Sequence, residues 1–302
     1  KEGHSVSIID DLSTGSLENL ASVQKHPNLE VIVDDIITCP ELNMLVYKCD
    51  CIFHLAAAVG VELVVNNPAQ TIVTNVHGTE RVLTLASKFS KRCIVASTSE
   101  VYGKSSKEKF TETDDLIIGP PSNSRWSYAC SKLIDEFLVM AYYRDRKFPG
   151  TVVRFFNTVG PRQTGRYGMV LPRFAESAIA GKNLRVYGTG TQTRCFCHVA
   201  DVVRALLLVA GNTESYGKIF NIGSSRKVTI KELAEMVIKR AGSKSGIDTI
   251  PYSEAYEAGF EDMLHRAPNC DAVKELTGWE PSISLEQIID DVIDSVKSRR
   301  KA

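Results

Sequence analysis

The 302-residue chain has no surplus of either charge, since 36 lysines and arginines stand against 36 aspartates and glutamates. No overall field therefore draws it to nucleic acid or to an anionic membrane surface. It contains no uninterrupted apolar stretch of about 18 residues, the length that reads as a membrane-crossing helix. Its first residues, KEGHSVSIID, lack the apolar core and small-residue cleavage site of a secretion signal. The eight cysteines (Cys39, Cys49, Cys51, Cys93, Cys130, Cys195, Cys197 and Cys270) form neither a Cys-x-x-Cys pair nor a Cys/His zinc spacing. They read as reduced thiols of a cytoplasmic protein, and no metal is expected. Neither an internal repeat nor a low-complexity tract is present.

The first two-thirds alternate short β-branched runs with longer helical patterns. SVSIID (5–10), LEVIVD (29–34), CIFHLA (51–56), RCIVAST (92–98) and GTVVRFF (150–156) read as buried strands, with helices near 66–89 and 126–146 between them. Such alternation predicts an α/β fold with a parallel sheet and right-handed crossovers. From about residue 161 the pattern loosens into loops. It returns with KIFNIG (218–223), a helix over 229–242 and an amphipathic helix over 285–299.

SIIDDLSTG (7–15) is a strand ending in two aspartates and a small-residue loop. In a dinucleotide fold an acidic residue there accepts hydrogen bonds from the adenosine ribose and repels the extra phosphate of NADP. Asp10, with Asp11 beside it, suits that role and favours NAD, although an ordinary strand-ending turn has the same look. The glycine-rich turn that cradles a pyrophosphate is missing from the sequence given. The expectation is a further strand and such a turn upstream of Lys1.

RWSYACSK (125–132) spaces Tyr128 and Lys132 four residues apart, on one face of a helix. That spacing alone fits a surface pair as well as a catalytic one. Read in order with IIDDLSTG, DDI (34–36), FHLAAAVG (53–60), NVHGT (75–79), ASTSEVYG (96–103) and RFFNTVGPR (154–162), it resembles the extended short-chain dehydrogenase/reductase family. The likeness is to its nucleotide-sugar epimerase, dehydratase and decarboxylase branch. It implies a Rossmann-type doubly wound parallel sheet with a smaller C-terminal substrate-binding domain. Residues 1–160 would be the NAD-binding domain and 161–302 mainly the nucleotide-sugar domain, with roughly 195–223 returning to the sheet.

The resemblance implies NAD contacts from Asp10, Asp11, Ser13, Thr14, Gly15, Asp35, Ile36, Leu55, Ala56, Ala57 and Asn75, besides Tyr128 and Lys132. It makes Tyr128 the base that takes a proton from a sugar hydroxyl, with Thr98 hydrogen-bonded to the same oxygen. A free phenol has a pKa of about 10, so Tyr128 is expected to be lowered by the Lys132 ammonium and the nicotinamide cation.

Residues Ser99 and Glu100 bear on the reaction that follows oxidation. A carboxylate at Glu100 resembles the decarboxylases and 4,6-dehydratases more than the 4-epimerases, and Ser99 stands where the common dehydratases have an aspartic acid. DLIIGPPSNSRWSYACSK (115–132) and GTQTRCF (190–196) resemble UDP-glucuronate decarboxylases, whereas TGRYGMVLPRF (164–174) departs from them. UDP-glucuronate decarboxylation leads, with UDP-sugar 4-epimerisation, 4,6-dehydration and a catalytically silent NAD-binding scaffold left open. Arg125, Asn157, Arg173, Tyr187, Arg194 and Arg266 are the implied contacts to the UDP-sugar. The helices near 66–89 and 126–146 carry apolar residues on more than one side, including Ile134, Phe137, Leu138 and Ala141, which with the family's habit implies a homodimer through a four-helix interface.

Overall fold

The computed structural model describes residues 3–165, 169–255, 263 and 265–300. Its first half runs β1 (Val6–Asp10), β2 (Leu29–Val33), α1 (Leu42–Lys48), β3 (Cys51–His54), α2 (Val61–Asn66), α3 (Pro68–Lys88), β4 (Arg92–Thr98), α4 (Ser127–Arg146) and β5 (Gly150–Phe155). The strand Ile219–Ile222, β5, β4 and β3 lie side by side in that order, all parallel. β1 and β2 make their own parallel ladder. The α/β fold with a parallel sheet is thus the one expected.

Alternation along the strands decides which face each side chain enters. Cys93 and Val95 of β4 and Val152 of β5 pack with Leu42, Val82, Leu83 and Val139 from the helices on one face. Ile94 and Val153 point the other way, into a cluster with Val202, Leu206, Phe220 and Trp279. β4 is buried on both faces, which is why it reads as a continuous apolar run.

Element ends follow local chemistry. Pro68 takes the first turn of α3, where its missing N–H leaves no helical bond unmade, so the helix expected near 66–89 runs Pro68–Lys88, with the short α2 ending just before it. α3 and α4 pack against each other, joined at the edge by the Thr84 and Tyr142 hydroxyls at 3.3 Å. Thr229 and Glu232 form a capping box at the start of Ile230–Ala241, and Gly242 (φ 62°) adopts the left-handed conformation that closes it.

The looped reading beyond residue 161 is corrected by two helices, Val170–Ile179 and Val199–Ala210. Pro172 falls in the first turn of the former, where a proline does not break a helix. The latter, VADVVRALLLVA, is apolar on nearly every side, which conceals its period. Val170–Ile179, Ile230–Ala241 and Leu285–Arg299 enclose a third core with Leu171, Phe174, Leu233, Ile288 and Val292. Among the described residues no helix is long and apolar enough to cross a membrane. All eight cysteines are free thiols, and Cys39, Cys93, Cys195 and Cys197 are buried.

Candidate active site

The site is built at the C-terminal end of β4, where open α/β sheets bind their ligands. Thr98 ends the strand, and its Oγ1 accepts the Glu100 N–H at 3.2 Å, capping the tight turn Ser99–Tyr102. That cap presents Ser99 and Glu100 beside α4. The first turn of α4 carries Tyr128, whose phenol is hydrogen-bonded to the Thr98 side chain. Thr98, Tyr128 and Lys132 are all buried.

Three arginines from distant segments gather around Glu100. Arg125, in the turn that leads into α4, donates from Nη1 to the Glu100 carboxylate, and Arg266 reaches the same carboxylate at 3.3 Å. Arg266 Nη1 also lies 3.4 Å from Ser99 Oγ. Arg194, on the strand Thr193–Cys195, donates to the carbonyls of Thr193 (2.9 Å) and Met263 (2.8 Å). Burial alone would raise the Glu100 carboxyl, but the charges of Arg125, Arg266 and Arg194 outweigh it and hold it down to about 2. Glu100 is therefore an anion near neutral pH, in the middle of a cationic cluster.

The expected lowering of Tyr128 is not found in the protein alone. Burial raises the phenol well above its ordinary value, the Glu100 charge raises it further, and the Thr98 hydrogen bond only partly opposes them. The Lys132 ammonium is engaged elsewhere, bonded at 2.7 Å to Asp135 Oδ2. Reasoning from the Tyr-x-x-x-Lys spacing missed that carboxylate, although an acid three residues after the lysine is a helix neighbour that the sequence displays.

Beneath the site a second polar layer also escaped the sequence reading. Arg154 of β5 bonds both oxygens of Glu136 from α4 (2.9 and 2.7 Å), and Ser97 donates to the same carboxylate. Arg154 continues to the Tyr102 hydroxyl (2.9 Å), which donates to Asn221 (2.8 Å). His54 of β3 is bonded to the Thr79 hydroxyl at 2.9 Å. Burial, aided by the Lys132 charge, lowers His54 to about 3, so it is neutral.

At the end of β1, Asp10 is exposed and its Oδ1 accepts the Leu12 N–H at 2.7 Å. A Cβ on Gly15 would lie 2.9 Å from that carboxylate, so a larger residue there would push the Asp10 side chain aside. Asp11 Oδ1 accepts the Ser13 N–H and hydroxyl (2.9 and 2.6 Å), and Thr14 is half-buried between them and Gly15. Asp35 caps its own turn by accepting the Ile37 N–H at 2.8 Å, and Ile36 packs where Gly78 leaves space. After β3, Leu55 and Ala56 are exposed and Ala57 half-buried. Buried Asn75 holds that loop to α4, accepting the Ala58 N–H (2.8 Å) and donating to Ser131 (3.0 Å).

The remaining candidates lie outside the Glu100 cluster. Asn157 (φ 31°) donates to the Cys195 carbonyl at 2.9 Å. Arg173 donates to the Tyr187 hydroxyl at 2.6 Å and lies over its ring, 5.1 Å from the centroid. Of the divergent segment 164–174, residues 166–168 lie outside the described residues.

A tyrosine on the helix face that also carries a lysine, hydrogen-bonded to a strand-end threonine, is a proton-transfer arrangement, and the comparisons agree with it. The GDP-mannose 4,6 dehydratase family matches residues 1–292. The chain belongs to that family. Its members are NAD-dependent epimerases and dehydratases, and this member is an enzyme. It is 38% identical over 294 residues to a UDP-N-acetyl-alpha-D-glucosaminuronate decarboxylase of Bacillus cytotoxicus, covering 97% of this chain and 90% of that one. It is 32% identical over 297 residues to UDP-glucuronic acid decarboxylase 1 of Danio rerio, covering 97% of this chain and 66% of that longer protein. The solved dTDP-glucose 4,6-dehydratase of Bacillus anthracis in complex with NAD superposes with a TM-score of 0.85 at 26% identity, covering 99% of this chain and 90% of that one. The Rossmann-type fold is therefore shared. The family's cofactor fits the residues here: the exposed Asp10 carboxylate against a Cβ-free Gly15 suits ribose hydroxyls, and Asn75 braces the loop that follows β3 while bonding Ser131, one residue before Lys132 on α4.

Proposed function

We propose that this chain decarboxylates a UDP-linked hexuronic acid through a 4-keto intermediate, with UDP-glucuronate as its substrate. The observation that carries this reading is the cluster of Arg125, Arg194 and Arg266 around Glu100, beside the Thr98–Tyr128 pair. A cationic cluster next to the proton-transfer pair suits a sugar that bears a carboxylate close to its reacting hydroxyl. NAD, when bound, is the hydride acceptor and later the donor.

Tyr128 takes the proton from the C4 hydroxyl while Thr98 holds the same oxygen. The product of that step is a β-keto acid. Its C5–C6 bond breaks with the electron pair flowing into the C4 carbonyl, carbon dioxide leaves, and the enolate oxygen forms at the position Tyr128 and Thr98 can hydrogen-bond. Protonation at C5 gives a 4-keto pentose; return of the Tyr128 proton to the C4 oxygen, with the hydride that the cofactor would give back to C4, would complete the UDP-pentose. Ser99 is a far weaker acid than a carboxyl group, which disfavours expulsion of a C6 hydroxyl and hence dehydration. Asp10, Asp11, Ser13, Thr14, Gly15, Asp35, Ile36, Leu55, Ala56, Ala57 and Asn75 hold the cofactor in residues 1–160. Asn157, just before the part spanning 161–302, and Arg266 within it contact the nucleotide diphosphate, while Arg173 and Tyr187 line the nucleotide end with the strand of Tyr187 against the base.

A second reading has one specific support. The relative with 38% identity is named for a 2-acetamido uronate, while the Danio rerio relative named for the plain uronate is 32% identical. Incubating the enzyme and NAD with UDP-glucuronate, UDP-N-acetylglucosaminuronate and UDP-glucose separately, and following the sugar protons by NMR, tests both. Carbon dioxide and a pentose from the plain acid support the lead. Turnover of the acetamido acid alone selects the second reading. Inversion at C4 of UDP-glucose with unchanged mass overturns both.

A further inference from the structure

Along α4 the catalytic tyrosine and the buried acid lie in opposite directions from Lys132. Tyr128 is one turn N-terminal to the lysine and Asp135 one turn C-terminal, and the ammonium is bonded to Asp135 at 2.7 Å. Lys132 is 2% exposed and Asp135 fully buried, so this is not a solvated surface pair whose partners exchange freely. The groups that face the pair come from every element around it. Neutral His54 of β3 is bonded to Thr79 of α3, whose hydroxyl lies beside the Asp135 carboxylate and favours its charged form. Glu136 follows on α4 but is committed to Arg154, while Glu100 and Arg266 face Tyr128 from the site.

We propose that Asp135 is a positioning residue: it anchors the Lys132 ammonium on the side of the helix turn away from Tyr128 and so restrains Tyr128 as a base. The inference rests on Tyr128 being the proton acceptor of the proposed reaction. Asp135 touches neither the reacting atoms nor the Tyr128 ring; it acts through where the lysine charge is held. Burial raises the Asp135 carboxyl; the Lys132 ammonium, and in smaller measure the Thr79 hydroxyl with His54 behind it, oppose that rise. Releasing the ammonium toward Tyr128 brings a positive charge nearer the phenol and removes a negative one, and both changes favour the phenolate.

The test reads the phenolate directly. Ultraviolet titration of the cofactor-free protein, with Tyr128→Phe as the baseline that isolates this one phenol, is compared for the parent chain, Asp135→Asn and Asp135→Glu. In Asp135→Asn the Tyr128 proton is expected to leave at a pH lower by roughly one unit or more, the size of shift a nearby charge produces. Asp135→Glu, which keeps the charge, restores the parent titration. With NAD loaded, the acid limb of the pH–rate profile moves the same way. An unmoved titration in a variant that retains its circular dichroism overturns the proposal, as does an equal shift in Asp135→Glu. Should Asp135→Asn fail to fold, Thr79→Val decides: it removes the hydroxyl from Asp135, and the same downward shift in smaller measure is expected, an unmoved titration overturning the idea. Failure of the proposed function looks different, since it leaves every uronate unconverted while the titration still shifts.

Discussion

The Arg125 guanidinium and the Glu100 carboxylate, 25 residues apart in sequence, meet directly in the site, and Arg266 closes on the other carboxylate oxygen. Glu100 thus neutralises cations that the sugar's own carboxylate would meet. Glu100→Gln keeps the shape and frees those charges, so KM for the acid sugar is expected to fall. The same change loosens Arg125 and Arg266 by the value of a charged hydrogen bond, about 1.5–3 kcal/mol, so kcat should fall roughly 10–100-fold. Steady-state kinetics on UDP-glucuronate checks both directions, and a raised KM with unchanged kcat would contradict the arrangement.

The same pairing sets a pH dependence. The Glu100 carboxyl is held at about 2, below its ordinary value of 4.5, so its contribution to stability is present above about pH 4.5 and is lost as pH falls toward 2. Urea denaturation of the parent chain and Glu100→Gln at several pH values should give a constant difference from neutral pH down to about 4.5. Below that the two curves converge.

Tyr128→Phe retains the ring's packing and removes the acid/base. Turnover is expected to drop by roughly 10²–10⁴-fold, the usual contribution of a general base, with NAD affinity nearly unchanged by fluorescence titration. Turnover at the parent rate would remove Tyr128 from the mechanism.

Beneath the site, the doubly hydrogen-bonded Arg154–Glu136 pair is buried. Replacing one partner leaves a buried charge without its counterion, which typically destabilises by about 3–5 kcal/mol. Glu136→Gln should therefore lower the urea midpoint strongly, whereas the exposed pair Arg144–Asp145 can be broken with little effect.

Phe137 is 68% exposed and Ile134 45% on the outer face of α4, with Ile72 and Val73 exposed on the neighbouring α3. We propose that this apolar face packs on a second copy of the chain as a C2 dimer. Light scattering should give twice the chain mass at micromolar concentration and the single mass for Phe137→Glu. A monomer in the parent chain would refute it.

The sheet and its helices were readable because β4 and β5 bury both faces, which leaves unbroken runs such as CIVA and TVVRF. Helix Val199–Ala210 was not, since burial on one side and exposed Val203, Leu207 and Leu208 on the other use the same residue types. Thr98, Glu100 and Tyr128 were legible as a set because the resemblance fixed their order along the chain. The partner of Lys132 was not, since the choice between a bond to Asp135 and a charge held near Tyr128 depends on how α4 is buried. Nor could the sequence show that Arg125 and Arg266 bond one carboxylate with the Arg194 charge nearby, a matter of how three separate segments fold over the strand ends.

β5 stands between one strand made before it and one made after it. β4 lies some fifty residues upstream (99–149 separate them) and is already present when β5 emerges, while Ile219–Ile222 arrives only after a further sixty or so (156–218). On the ribosome, β4 and β5 can join early, but the other edge of β5 stays open with its peptide groups unpaired and Val153 uncovered until residue 222 has emerged. Such an edge recruits strands from other chains, and the long closure makes its pairing slow. Refolding from denaturant should accordingly lose yield steeply with protein concentration, with the loss relieved by slow dilution or by a chaperone that shields the open edge.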